Sequence, residues 1–150
     1  YTIGLFCIEN FSFTEFAQRA LEKKYSFQFA QIQKINIKDK FIISVPDRTI
    51  QIPLEEVEPF ARPACLACSD FSNEYADISV GGLGSHDGYT TVIIRSKKGE
   101  MLFRSAIDDG YIEEADQQPQ EKARIHQQIL TFSQSKKNRA QKQIATLGGD

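Results

Sequence analysis

Residues 31–54 read QIQKINIKDKFIISVPDRTIQIPL, and their alternation decides the middle of the fold. Ile35 and Ile37 precede Lys38-Asp39-Lys40, then Phe41, Ile43 and Val45 follow at every second position. Pro46-Asp47-Arg48 turns the chain again, into Ile50 and Ile52. Successive side chains of a strand point to opposite faces, so this period of two predicts half-buried strands, and the charged and proline breaks predict turns. The expectation is a meander of short antiparallel strands, with a helical turn over residues 54–60.

On the N-terminal side, residues 3–8 form a nearly continuous apolar run and predict a buried, central strand that ends at Cys7. Ser12-Phe13-Thr14-Glu15 has the capping-box spacing, and Phe13, Phe16, Ala17, Ala20 and Leu21 follow at helical intervals, predicting a helix over about residues 13–24. On the C-terminal side, Pro59 and Pro63 are expected to deliver extended chain into Cys65-Leu66-Ala67-Cys68. A short strand over 77–80 then runs into Gly81-Gly82-Leu83-Gly84-Ser85-His86-Asp87-Gly88, and residues 90–95 and 100–103 read as a hairpin around Lys97-Lys98-Gly99. A helix over about 120–144 carries Ile125, Ile129 and Phe132 on one face. It ends in Lys136, Lys137, Arg139 and Lys142, a basic run read as a solvated face favoured by the helix dipole. The fold class is α+β: an antiparallel meander and hairpins, an N-terminal strand-helix unit and a C-terminal helix.

The 150 residues suffice for one domain with its own core. A hydrophobic content of 41% with 25% charged residues is that of a soluble globular protein, and a net charge of -2 gives no footprint for nucleic acid or an anionic membrane. No apolar run reaches the roughly 18–20 residues of a membrane span. The chain begins without Met inside an apolar run that has no signal-peptide features, which reads as the start of a fragment whose N-terminal portion lies upstream. Three cysteines, an odd and sparse set, suit a reducing compartment better than a disulfide scaffold.

Two cysteines with two residues between them can offer both thiolates to one ion or cluster, and Cys7 supplies a distant third. Spacing leaves three possibilities open. Structural zinc wants four ligands, and no second pair is present. A dithiol redox pair would open a helix after a strand. An iron–sulfur cluster takes thiolates from separated segments and would need one more. The glycine run, meanwhile, allows close approach of backbone to a phosphate or flat ring, or simply connects two strands tightly. It is not a dinucleotide fingerprint, because its spacing differs and a strand follows it. His86 in this loop reads as an exposed side chain, the alternative being a donor to a ligand or a proton shuttle.

Four segments carry a family resemblance. Ile3-Gly4-Leu5-Phe6-Cys7-Ile8-Glu9-Asn10-Phe11 resembles the segment G-[LIV]-[FY]-C-x-E-x-F of the beta subunit of coenzyme F420-reducing hydrogenase and its relatives. Cys65-Leu66-Ala67-Cys68-Ser69-Asp70 resembles that family's C-x-x-C-x-D, and residues 76–92 resemble its A-D-[IV]-S-x-G-x-x-G-S-x-D-G-W-[ST]-T-V. Lys34-Ile35-Asn36-Ile37-Lys38-Asp39-Lys40-Phe41 resembles a basic stretch of the same family. The resemblance implies the C-terminal domain of a cytoplasmic iron–sulfur flavoprotein subunit, α/β when intact, in which coenzyme F420 exchanges a hydride with FAD and electrons pass singly to a [4Fe-4S] cluster. Cys7, Cys65 and Cys68 then become cluster ligands, with the family's fourth upstream, so residues 1–150 alone are expected to be inactive.

Gly81, Gly82, Gly84, Ser85, Asp87, Gly88 and Tyr89 become candidates for the flavin or coenzyme. Lys34, Lys38 and Lys40 become candidates for FAD phosphate or the coenzyme's acidic tail. No side chain needs to act as nucleophile or base. Tyr89 stands where the family has Trp. The implied partner is a hydrogenase, formate dehydrogenase, sulfite reductase or other redox subunit. The alternatives are a ferredoxin-dependent reductase of the same family and a zinc-stabilised interaction module.

Overall fold

The computed structural model describes residues 1–12, 14–16, 21–37 and 40–147. The chain divides into two units, one of residues 9–66 and one of residues 1–8 with 67–150.

The first unit is built on the meander. Strands β2 (Lys34–Ile37), β3 (Lys40–Val45) and β4 (Arg48–Pro53) pair antiparallel in that order. Cross-strand partners such as Ile43 with Ile50 and Phe41 with Ile52 put the apolar set on one face. Ile43, Ile52 and Val57 are almost wholly buried there, and Phe16, Leu21 and Phe27 complete the cluster. The Phe16 ring meets Phe41 edge-on at 5.2 Å and Phe11 at 4.8 Å. The helical turn expected over 54–60 is present as two 3-10 turns, Leu54–Glu56 and Glu58–Phe60.

Of the helix expected over 13–24, residues 13 and 17–20 lie outside the described residues, and α1 spans Glu22–Tyr25. Half of its capping box is visible, with the Glu15 amide donating to Ser12 Oγ at 3.5 Å. Helix α2 (Pro63–Ala67) corrects the extended approach expected before the cysteine pair. Pro63 is its first residue, where the missing amide costs nothing and the fixed φ already suits a helix.

The second unit holds a mixed sheet in the order β1 (Ile3–Leu5), β5 (Ile78–Gly81), β6 (Thr91–Ile94). β1 runs parallel to β5, which is antiparallel to β6, and with the helices this gives the α+β class expected. β1 is also shorter than residues 3–8 and lies at a sheet edge, with Ile3 and Leu5 exposed. An apolar run marks a strand but does not say which of its faces is covered.

The expected hairpin over 90–103 is replaced. β6 takes β5 as its partner, and residues 97–108 form α3 (Lys97–Asp108). Ser96 adopts an extended φ of -134° and caps the helix, its Oγ accepting the Gly99 amide at 3.1 Å. Leu102, Phe103, Ala106 and Ile107 then recur on its partly buried face, a helical spacing that overrides the turn-like Lys97-Lys98-Gly99. Helix α4 (Pro119–Leu147) matches the expected tail and brings Ile125 and Ile129 onto Phe71, with Phe6, Leu83 and Ile93 packed around them.

Polar bonds tie the sheet's ends. Arg95 donates to Ser79 Oγ at 3.0 Å and Ser72 Oγ at 2.8 Å, both serines being buried. Asp77 accepts from Ser96 Oγ at 2.5 Å and from the Thr2 amide at 2.9 Å. Those bonds, first from Ser96 and then from Thr2, hold its carboxyl below the ordinary value of 3.8. Among the described residues no helix is long and apolar enough to cross a membrane.

Candidate functional site

The glycine run leaves β5 and returns as β6, and its turns follow from its residue types. Gly84 has a φ of +79°, and a Cβ there would lie 2.9 Å from Ile125 Cγ1. Only glycine meets both demands cheaply. Gly81 is likewise filled from within the fold, since a Cβ would fall 2.4 Å from the Phe6 ring. Gly82 and Gly88 face open space. The close approach of ligand to backbone expected for the whole run is therefore available at Gly82 and Gly88, while Gly81 and Gly84 serve packing.

Ser85 donates to the Gly82 carbonyl at 3.2 Å, and the Tyr89 amide to the His86 carbonyl at 3.0 Å. Thr91 Oγ1 donates to the Leu83 carbonyl at 2.8 Å. Helix α4 braces the loop from one side: Arg124 donates to the Gly84 carbonyl at 3.2 Å, and His86 Nε2 lies 2.7 Å from Glu121 Oε1. His86 is thus exposed, as expected, but held in place.

A cleft of about 860 Å³ opens beside this loop, a volume within the usual range for cofactor pockets. Ser85, Gly88 and Tyr89 line it from the loop, Val92 and Ile94 from β6, and Phe103 from α3. Tyr111 to Glu114 close one wall, and Lys122, His126 and Ile129 of α4 another. Tyr89 OH donates to Glu113 Oε1 at 3.4 Å across the mouth. The walls offer aromatic faces beside two carboxylates, an ammonium and an imidazole, a set suited to a flat polar ring system.

Asp87 is exposed in the loop and is not among the residues lining the cleft. Lys34 is exposed on β2 in the other unit, where Lys40 also lies, and Lys38 falls outside the described residues. Sequence inspection missed Lys122 and His126. Their signal was present in the helical spacing of Lys122, Ile125, His126 and Ile129, which places polar and apolar residues on one side of α4.

The three cysteines are half-buried and none is in a disulfide. Cys7 follows β1, and its amide donates to the Phe71 carbonyl at 2.9 Å. That bond brings it to the segment that begins at Cys68, whose thiol points to the Asp70 carbonyl at 3.7 Å. The Phe6 and Phe71 rings, 5.5 Å apart, pack the two segments together. Cys65 lies in α2 in the other unit, and its sulfur accepts the Asn10 amide at 3.3 Å. Among the described residues no three His, Cys, Asp or Glu side chains gather closely enough to hold a metal ion. What matches an iron–sulfur cluster is the donor type, three thiols outside any disulfide, with Cys65 Sγ accepting one amide hydrogen bond.

The basic end of α4 is only in part the solvated face expected: Lys142 is exposed, but two of its neighbours are drawn into the fold. Lys136 is only 4% exposed and donates to the Cys7 carbonyl at 2.7 Å, and Arg139 donates to the Ile8 carbonyl at 2.9 Å. Lys137 pairs with Glu74 at 2.9 Å.

Residues 1–120 match the family model for the C terminus of the "Coenzyme F420 hydrogenase/dehydrogenase, beta subunit". Among curated proteins, the chain is 32% identical over 145 residues to the coenzyme F420 hydrogenase subunit beta of Methanothermobacter thermautotrophicus, covering 95% of this chain and 50% of that one. It is 39% identical over 109 residues to the coenzyme F420-dependent sulfite reductase of Methanocaldococcus jannaschii, covering 72% and 17%. Among solved structures, it superposes on a chain of the F420-reducing [NiFe] hydrogenase complex from Methanosarcina barkeri with a TM-score of 0.82 at 30% identity, covering 97% of this chain and 50% of that chain. The chain thus spans half or less of the relatives it matches.

Proposed function

The chain belongs to the coenzyme F420 hydrogenase/dehydrogenase beta-subunit family, in its C-terminal part, and on that premise we propose that it forms the C-terminal domain of a cytoplasmic electron-transferring subunit. In this role coenzyme F420 is the hydride donor or acceptor, and a hydrogenase, formate dehydrogenase or other redox subunit is the partner. The observation that carries the proposal is the cleft: the loop bearing the glycine motif contributes Ser85, Gly88 and Tyr89 to its wall.

FAD bound in such a site would exchange a hydride with the coenzyme and single electrons with a [4Fe-4S] cluster. The chain's own residues bind, orient and insulate. Tyr89 and Tyr111 give faces on which a ring can stack, and Gly88 lets it approach the backbone closely. Lys122 and His126 offer donors to ring carbonyls or a phosphate, and Ile129 and Phe103 keep water from the inner wall. Arg124 and the His86–Glu121 pair anchor the loop to α4, so the binding wall is set before a ligand arrives. Cys7, Cys65 and Cys68 would hold the cluster, with a fourth ligand from outside these 150 residues. The hydrogen bond from the Asn10 amide to Cys65 Sγ would stabilise charge on that sulfur and so help set the potential of a cluster held there.

The test is the anaerobically purified protein itself. Flavin bands with a broad iron–sulfur shoulder are expected, and reduced coenzyme F420 should bleach the flavin. Colourless protein with stoichiometric zinc would overturn the proposal. A coloured protein that reduced ferredoxin bleaches and the deazaflavin does not would move it to a ferredoxin-dependent reductase. Cys68→Ser should abolish the shoulder, and Tyr89→Leu should weaken the flavin bands while leaving the shoulder intact.

A further inference from the structure

Burying a lysine is costly unless its ammonium is bonded, and a core at this position could be filled by Met at no such cost. Lys136 is nonetheless 4% exposed, with its Nζ 2.7 Å from the carbonyl oxygen of Cys7. Three residues on, on the same face of α4, Arg139 donates to the next carbonyl, that of Ile8, at 2.9 Å. These residues lie 129 and 131 positions from their acceptors in sequence, so the contacts come from the tertiary fold alone. Both also lie beyond residues 1–120, the part matched by the family model.

Covalent geometry limits how far the charge can be from sulfur. The carbonyl oxygen and Sγ of one cysteine are separated by four bonds, so the Lys136 ammonium is within about 7 Å of Cys7 Sγ. It sits inside a region from which water is largely excluded, where a charge is weakly screened.

We propose that Lys136, assisted by Arg139, is a positioning residue for Cys7: it clamps the chain just after β1 and places a buried positive charge beside that sulfur. The inference rests on Cys7 being a ligand of the cluster. The clamp acts on the Cys7 carbonyl just past the last bond to β5, that of the Phe6 amide to the Val80 carbonyl at 2.8 Å, and so keeps the sulfur presented beyond the strand's end. The charge favours the reduced cluster, which carries one more negative charge than the oxidised one, and so raises its reduction potential.

The test compares Lys136→Met, which removes bond and charge while filling the space, with Lys136→Arg, which restores both. In the anaerobically loaded full-length protein, the cluster midpoint followed by electron paramagnetic resonance should fall in Lys136→Met and return toward wild type in Lys136→Arg. In the protein without cluster, amide exchange over residues 7–9 should speed up in Lys136→Met while β5 amides are unchanged. Lys136→Met with the wild-type potential and wild-type exchange overturns the proposal. If Lys136→Met takes up no cluster, normal loading of Lys136→Arg together with faster exchange at 7–9 supports the clamp. Equal failure of both variants, or unchanged exchange, overturns it. Wild-type protein that takes up no cluster defeats the assignment of Cys7 instead, and the exchange comparison then decides the clamp alone.

Discussion

Replacing Gly99 with alanine sets two effects of opposite sign against each other, and the structure says which prevails. At a solvent-facing position in a helix, Gly→Ala stabilises by about 1 kcal/mol, because alanine loses less backbone entropy. Gly99 lies in the first turn of α3 but is buried, and a Cβ there would fall 2.3 Å from the Asp77 carbonyl oxygen and 3.0 Å from Ile78 Cγ1. Ordinary contact begins near 3.4 Å, so α3 and the start of β5 would have to part by roughly 1 Å (3.4 minus 2.3). Two bonds span that junction: the Arg95 amide to the Asp77 carbonyl at 2.9 Å and Ser96 Oγ to Asp77 Oδ1 at 2.5 Å.

Overpacking of this kind costs about 1–3 kcal/mol, and each weakened bond adds up to about 1 kcal/mol. After the helix-propensity gain, Gly99→Ala should destabilise by about 2 kcal/mol, lowering the melting temperature by roughly 4–8 °C. Thermal and urea unfolding followed by circular dichroism would measure it, with Lys97→Ala at an exposed position of the same turn as the control. Equal or greater stability of Gly99→Ala would refute the close packing of α3 on the end of β5.

Three further outcomes follow from the same contacts. The depressed carboxyl of Asp77 contributes stability that is present above its ordinary value of 3.8 and is lost as pH falls through its lower folded value; Asp77→Asn should therefore show a shallower loss of stability with falling pH below 3.8 than wild type, and parallel urea midpoints would count against the Ser96 and Thr2 bonds. Gly84→Ala should cost about 2 kcal/mol or more, from a positive φ and the contact with Ile125, while Gly82→Ala in open space should stay within about 0.5 kcal/mol; equal urea midpoints for the two would contradict the packing of the loop on α4. Ile43→Ala, at the wholly buried centre of the meander, should cost about 2–5 kcal/mol in the same assay, and a loss under 1 kcal/mol would be inconsistent with its burial.

The alternation over residues 31–54 determined β2, β3, β4 and their antiparallel order without help, because short strands joined by tight turns cover one apolar face by pairing with their neighbours, and the structure adds the register. The family segments around Cys7, Cys65 and Gly81–Gly88 were likewise legible, since a motif is a local property of the chain. Residues 97–108 were not, because Lys97-Lys98-Gly99 looks like a turn until Gly99 is seen to be the point where α3 touches Asp77. Nor was the cleft, whose walls come from β6, α3, residues 111–114 and α4. Lys136 shows the division most clearly. In sequence it belongs to a basic run that any solvated helix could carry. Its burial against the Cys7 carbonyl depends on how α4 packs across residues 129 positions away, and only the tertiary structure decides which of several like charges loses its water.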